Sequence, residues 1–320
     1  MRFFDPPILG SLYAGTTLYV RAHNMALERD RLSFMSKSFI EGLHGGYFQG
    51  FNLTGDKIVD ERSEFQHIQI FDTPDNGRIM VLDDIVQITT RDEDSYSEML
   101  THVPMFEHGA VKNVAIVGGG DLAVAEEALK HPSLQSVDLA EIDGRVVDLC
   151  REHFADINAS AFADNRLNIH IRDAAEFLKE PAQKGKYDLI VSDRPDPVGP
   201  AEVLFSDQFY STIGDALSPT GIAVFQTGAP FFQADELRDT CRQLRDVFKY
   251  SGVYLTVTPT YTGGFMALTW ASNGFNLGQD ETLAKVPARV AEAGLKTTYY
   301  NADMHRAAYA LPNWIKDIIA

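Results

Sequence analysis

Residues 113–121 read NVAIVGGGD, and this stretch decides the fold. A short apolar strand runs into three consecutive glycines, Gly118, Gly119 and Gly120, and then into a carboxylate, Asp121. The next residues, LAVAEEALKH at 122–131, have the spacing of a helix stopped by Pro132. A strand, a glycine turn and a helix in that order open a doubly wound sheet. Downstream the pattern repeats. SVDLAEID (136–143), LNIHIRD (167–173), YDLIVSD (187–193), GIAVFQT (221–227), VYLTVTPTY (253–261) and MALTWAS (266–272) read as strands. Segments such as RVVDLCREHF (145–154) and DELRDTCRQLRDVF (235–248) read as helices between them. Strands alternating with helices predict an α/β domain over 110–320, built on a parallel doubly wound sheet. Ligands of such sheets sit at the carboxyl ends of the strands.

Upstream the period changes. Residues 46–100 alternate apolar and polar positions between turn dipeptides, Thr54-Gly55 and Asn76-Gly77. That predicts a small antiparallel β domain over 46–109, with SYSEMLTHVPMF (95–106) as a helix leading out of it. Residues 1–45 read as an N-terminal extension in which ALERDRLSFMSKSFIEGL (26–43) has roughly helical spacing.

Composition narrows the function. The chain of 320 residues has 45 acidic and 28 basic side chains, a net charge of −17. Such a chain repels nucleic acid and anionic membranes and is compatible with cationic substrates. No apolar run approaches the roughly 20 residues that span a bilayer. The first residues carry Asp5, Pro6 and Pro7 in place of a continuous secretory apolar stretch. The expected location is the cytoplasm. Cys150 and Cys241 alone make neither a disulfide framework nor a structural zinc site, and the histidines lack metal-ligand spacing, so no metal is expected.

Carboxylates recur at the predicted strand ends: Asp121 after the glycines, Glu141, Asp173, then Asp193 with Asp196 just beyond. A glycine turn by itself serves NAD sites, flavin sites or plain tight turns equally well. Glu141 stands 21 residues after Gly120, the usual place for an acid on ribose hydroxyls, which narrows the choice to a nucleoside-containing ligand. Asp121 then argues against a dinucleotide, because it stands where a pyrophosphate would meet the helix N-terminus. It suits a cation, unless it serves only as a helix cap. Decarboxylated S-adenosylmethionine has a nucleoside, a sulfonium and an ammonium, and lacks the carboxylate that Asp121 would oppose. The loop SDRPDPVGPAEVLF (192–205) is stiffened by three prolines and carries the second acid pair, Asp193 and Asp196. Amine alkylation needs such acids: the nucleophile must be neutral, and a carboxylate can orient it and accept its proton.

At these residues the chain resembles the spermidine synthase (polyamine aminopropyltransferase) family, from about Gly46 to the C-terminus. SEFQHIQIF, LDDIVQITTRDEDSYSEMLTHVP, VGGGD, AEID, IRDAAEFL, DRPDPVGPAEVLF, PTYTGG and TTYYNADMHRAAYALP follow one another in the family order. The resemblance implies a class I methyltransferase-like (Rossmann-type) sheet with a small N-terminal antiparallel β domain. It implies a homodimer or homotetramer, no permanently bound cofactor, and decarboxylated S-adenosylmethionine as co-substrate with a polyamine acceptor. It assigns Gln66 and Asp121 to the aminopropyl donor, together with the glycine turn at Gly118 and Gly120. Glu141 goes to the ribose, Asp173 and Ala174 to the adenine, and Pro200 to the thioadenosine. Asp193 becomes the acid–base residue, with Tyr96, Ser97, Asp196 and Tyr261 around the acceptor.

The chain departs from the family pattern at four places. Leu122-Ala123 replaces a second glycine pair, Ser97 replaces a His or Gln, Gln226-Thr227-Gly228 lacks the acid of Gln-x-Glu, and Thr262 replaces a proline. The changes near the acceptor predict more room and less charge there, and hence weak discrimination among amines or a preference for a long one. Glu41 of the extension is a candidate to fill the gap. The competing readings are an amine N-methyltransferase on the same scaffold, which Asp121 disfavours, and a non-catalytic paralogue, which the retained Asp193 and Asp196 disfavour.

Overall fold

A computed structural model of the chain describes residues 37–194 and 204–320. The predicted site residues Asp196 and Pro200, and most of the N-terminal extension, lie outside the described residues.

The N-terminal β region begins earlier than the alternation at 46 suggests. Strand β1 (Ser38–His44) pairs antiparallel with β2 (Tyr47–Asn52), Phe39 opposite Phe51 and Glu41 opposite Gln49. The expected boundary at 45 therefore falls in the turn of this hairpin, and Ser38–His44 is strand where helical spacing was read. Phe39, Glu41 and Leu43 share one face, and Phe39 and Glu41 on it are buried, while Ile40 between them faces out. That alternation of period two is what the helical reading overlooked. A second sheet, β3 (Val59–Arg62), β4 (His67–Thr73), β5 (Gly77–Leu82) and β6 (Ile85–Thr89), is a four-stranded antiparallel meander. Asp83 and Asp84 join β5 to β6 with φ of 46° and 65°, the two left-handed residues of a type I′ hairpin turn.

Helix α1 (Asp94–His108) leads into the α/β domain and is buried almost along its whole length. Its polar side chains are satisfied inside the protein. Glu98 accepts the backbone N–H groups of Thr298, Tyr299 and Tyr300 at 2.6–2.9 Å, which fastens the C-terminal TTYYN segment to the helix. The domain follows as β7 (Asn113–Gly118), α2 (Ala123–Leu129), β8 (Ser136–Glu141), α3 (Gly144–His153), α4 (Ala155–Ala163), β9 (Leu167–Ile171), α5 (Ala174–Leu178) and β10 (Tyr187–Asp193). Then come α6 (Asp207–Ala216), β11 (Leu217–Gln226), α7 (Ala234–Val247), β12 (Tyr250–Thr256) and β13 (Met266–Ser272), with four short helices after them.

The seven strands lie in the order β12-β13-β11-β10-β7-β8-β9. Order reverses between β7 and β10, the switch point where such sheets bind ligands. One strand departs from the all-parallel expectation: β13 inserts between β11 and β12, antiparallel to both. Alternate residues of β7 feed opposite cores. Val114 and Ile116 pack with Leu100, Leu122 and Leu139, whereas Ala115 and Val117 pack with Phe177, Phe209 and Phe225. The small sheet is seated on this domain through Ile68, Ile70 and Met80, which pack on Val146, Leu149 and Cys150 of α3. Among the described residues no helix is long and apolar enough to cross a membrane.

Candidate active site

The strand register delivers the acids to one place. Asp193, the last residue of β10, lies beside Gly118, the last residue of β7. A Cβ on Gly118 would stand 2.3 Å from the Asp193 carbonyl oxygen, and one on Gly119 would stand 3.2 Å from Asp193 Oδ2. Both glycines hold φ near +70°. The turn therefore has to be glycine twice over, for its backbone conformation and for the approach of Asp193. On the other side of the turn Glu141 closes in on Gly120.

A cavity of about 350 Å³ opens over these strand ends. Gln66, Tyr96, Ser97, Gly118, Gly120, Asp121, Glu141, Asp173, Ala174, Asp193 and Tyr261 all border it, so every predicted site residue among the described ones meets there. They are arranged as follows. Tyr96 on α1 donates its hydroxyl to Asp193 Oδ1 at 2.6 Å. Burial pushes the Asp193 carboxyl up to about 7, the charge of Asp121 adds to the rise, and the Tyr96 hydrogen bond opposes it. Asp121 Oδ1 accepts the N–H of Ala123, the first residue of α2, at 2.8 Å from one position ahead of the N-cap Leu122, and it borders the cavity. Burial raises its pKa as well. Glu141 Oε1 accepts the N–H of Asp143 at 2.9 Å, and burial lifts its pKa to about 7. Asp173 accepts the N–H groups of Ala175 and Glu176 and so caps α5. A cavity walled by Asp121, Glu141 and Asp193, whose pKa values burial raises, is matched to a ligand that brings positive charge.

Two predicted residues are already engaged. Gln66 Nε2 donates to Asp143 Oδ2 at 2.9 Å, and the Ser63 hydroxyl donates to the same oxygen. Asp143 also caps α3 through the N–H of Arg145. The Tyr261 hydroxyl donates to the Gln87 carbonyl, and its ring meets Tyr96 edge-to-face at 5.6 Å between centroids.

Sequence reasoning passed over other residues of this wall. Glu93 borders the cavity and accepts the Ser97 hydroxyl at 2.7 Å, and burial raises its carboxyl to about 8. Glu41, mentioned only as a candidate, is buried and borders the cavity from β1. Gln49 donates both to Glu41 and, at 2.7 Å, to the carbonyl of Thr260, next to Tyr261. His44 of the same strand stacks on Phe232 at 4.2 Å. The available signal for Glu41 was its place on the inward face of an alternating strand. Gln226, of the altered Gln-x-Glu position, borders the cavity, and so does Gln233, which nothing local in the sequence marks.

The room expected at Gly228 is not there. Gly228 has φ +70°, and a Cβ on it would lie 2.5 Å from Gln233 Oε1. The Gln233 side chain occupies the space. Leu122, which replaces a family glycine, is fully buried at φ +68°.

Comparison with known proteins follows the same residues. A spermine/spermidine synthase domain model matches residues 93–280, and a spermidine synthase tetramerisation domain model matches 49–90. A polyamine aminopropyltransferase of Ruegeria sp. (strain TM1040) is 43% identical over 278 residues, covering 87% of this chain and 96% of the relative. Polyamine aminopropyltransferase 1 of Pseudomonas aeruginosa PAO1 is 42% identical over 282 residues, with the same coverage. Spermidine synthase from Thermotoga maritima superposes with a TM-score of 0.81 at 33% identity, over 88% of this chain and 94% of that one. A spermidine synthase in complex with the transition-state analogue AdoDATO superposes with a TM-score of 0.82, also at 33% identity and with the same coverage.

Proposed function

The chain belongs to the spermine/spermidine synthase family, and from that footing we propose that it is an aminopropyltransferase that uses decarboxylated S-adenosylmethionine and a diamine or polyamine acceptor, releasing methylthioadenosine. The acceptor nitrogen, as a neutral amine, attacks the aminopropyl carbon bonded to the sulfonium. The new N–C bond forms as the C–S bond breaks, and the bonding pair leaves with sulfur. The surplus proton on nitrogen passes to Asp193.

The observation that carries this reading is the pairing of Asp121 and Asp193 in one buried cavity, with Tyr96 fixing the Asp193 carboxylate. A carboxyl group held near 7 can take a proton at working pH and return it to solvent. In this reading Asp121 holds the donor's ammonium, Glu141 the ribose hydroxyls, and Asp173 with Ala174 the adenine. Gln66 is aimed at the donor by Asp143. Glu41 receives the distal ammonium of the acceptor, which supplies the charge that Gly228 lacks. The assembly is a homo-oligomer. The domain model at 49–90 supports that, as do Ile40, Tyr47 and Phe48, apolar and exposed on the hairpin.

The test is mass spectrometry of products after incubation with an amine panel and either decarboxylated or intact S-adenosylmethionine. Aminopropylated amine and methylthioadenosine are expected from the first donor only, and Asp193→Asn should lower turnover by about 10²–10⁴-fold. Methylated amine from the second donor would overturn the reading.

A further inference from the structure

Gln233 is the first residue ahead of α7, and its side chain reaches back toward the end of β11. Its Oε1 accepts the N–H of Ala229 at 2.7 Å, and its Nε2 donates to Glu236 Oε2 at 3.2 Å. The amide is thus held at both ends. It borders the cavity, as do Gln226, Ala229 and Tyr261. If residue 228 carried a side chain, the first carbon of that side chain would lie 2.5 Å from Gln233 Oε1, 2.8 Å from Cδ and 3.1 Å from Nε2. Glycine at 228 and a forward-reaching Gln233 are therefore one arrangement: the amide occupies the volume that a residue-228 side chain would take. Restoring an acid at 228 would collide with Gln233 and force a non-glycine residue to φ +70°.

We propose that Gln233 is the specificity-determining residue at the acceptor end, closing the cavity beyond Gln226 and so limiting the length of the amine it admits. The proposal rests on the aminopropyl-transfer reading. A fixed neutral amide offers no charge to a further ammonium, and its bulk stands in the path of a longer chain. Truncation removes the bulk without touching the strand ends that hold Asp121, Glu141 and Asp193. The backbone N–H of Gln233 keeps its bond to the Ala229 carbonyl whatever the side chain.

The experiment measures kcat/KM for 1,4-diaminobutane, 1,5-diaminopentane and spermidine in the wild type, Gln233→Ala and Gln233→Met. Donor KM and methylthioadenosine affinity are measured alongside. The wild type should prefer the short diamines. In Gln233→Ala the ratio of spermidine to 1,4-diaminobutane should rise by roughly tenfold or more, the scale on which pocket volume discriminates substrates. Gln233→Met, of similar length, should keep the wild-type ratio, and the two donor-side readouts should not move. An unchanged ratio in Gln233→Ala, or an equal loss for every amine, would reduce Gln233 to a structural residue and overturn the proposal. A wild type that transfers aminopropyl groups to none of the amines would overturn the functional reading itself, and the proposal with it.

Discussion

The Tyr96 hydroxyl donates to Asp193 Oδ1 at 2.6 Å, across the junction between the helix that leads into the α/β domain and the fourth strand of that domain. The bond favours the ionised carboxylate and works against the burial that raises its pKa to about 7. Tyr96→Phe removes the donor and keeps the ring. The Asp193 pKa should then rise further, and the acid limb of the kcat/KM profile should move to higher pH. At pH 7 activity should fall by about tenfold or more, the scale of one hydrogen bond to a charged group, and recover in part toward pH 9. A uniform loss with an unmoved profile would mean that Tyr96 only shapes the wall.

Ligand binding should release protons. Burial is the chief cause that raises Asp193 and Glu141 to about 7 and Glu93 to about 8. The folded protein thus holds protons that the unfolded chain gives up near pH 4. The contribution of these groups to stability is present below pH 4 and is lost as pH rises through 7–8. A cation in the cavity favours the ionised forms and expels those protons, so affinity for the donor should increase from pH 6 to 8. Calorimetry in buffers of different ionisation enthalpy reads the release directly. A binding heat independent of buffer would contradict it.

Glu41 is held by Gln49, which also grips the Thr260 carbonyl. Glu41→Gln is nearly isosteric and removes one negative charge. The acceptor KM should rise by roughly 10- to 150-fold, the value of a charge-assisted hydrogen bond of about 1.5–3 kcal/mol, with the donor KM unchanged. Equal effects on both substrates would place Glu41 elsewhere in the chemistry.

Leu122 sits at φ +68° with its side chain fully buried in the core. A left-handed conformation costs about 1–2 kcal/mol in a non-glycine residue, and emptying a buried leucine site costs about 2–5 kcal/mol. Packing outweighs strain, so Leu122→Gly should lose about 2 kcal/mol by urea denaturation with the slope unchanged. A gain in stability would show that strain is the larger of the two.

The sequence was most legible where function and local pattern coincide. Gly118, Gly120, Asp121, Glu141 and Asp193 stand at strand ends, and strand ends announce themselves through apolar runs and breakers. Their convergence follows from the parallel register alone. Residues brought in by tertiary approach left no such trace. Glu41 arrives on a hairpin whose inward face alternates Phe39, Glu41 and Leu43, and a helical spacing of charges masked it. Gln233 reaches a position vacated at 228, which only coordinates can reveal. The antiparallel insertion of β13 was equally hidden, because strand direction is set by how the chain returns and not by the composition of MALTWAS.

Asp143 answers to both parts of the molecule. One oxygen receives Ser63 and Gln66 from the small sheet, the other caps α3, and its backbone N–H binds Glu141. The two parts are therefore not interchangeable units of inheritance. A recombinant that joins this β region to another α/β body, or the reverse, has to carry Ser63, Gln66 and Asp143 together. Otherwise it strands a buried carboxylate two residues from the Glu141 side chain that faces the cavity.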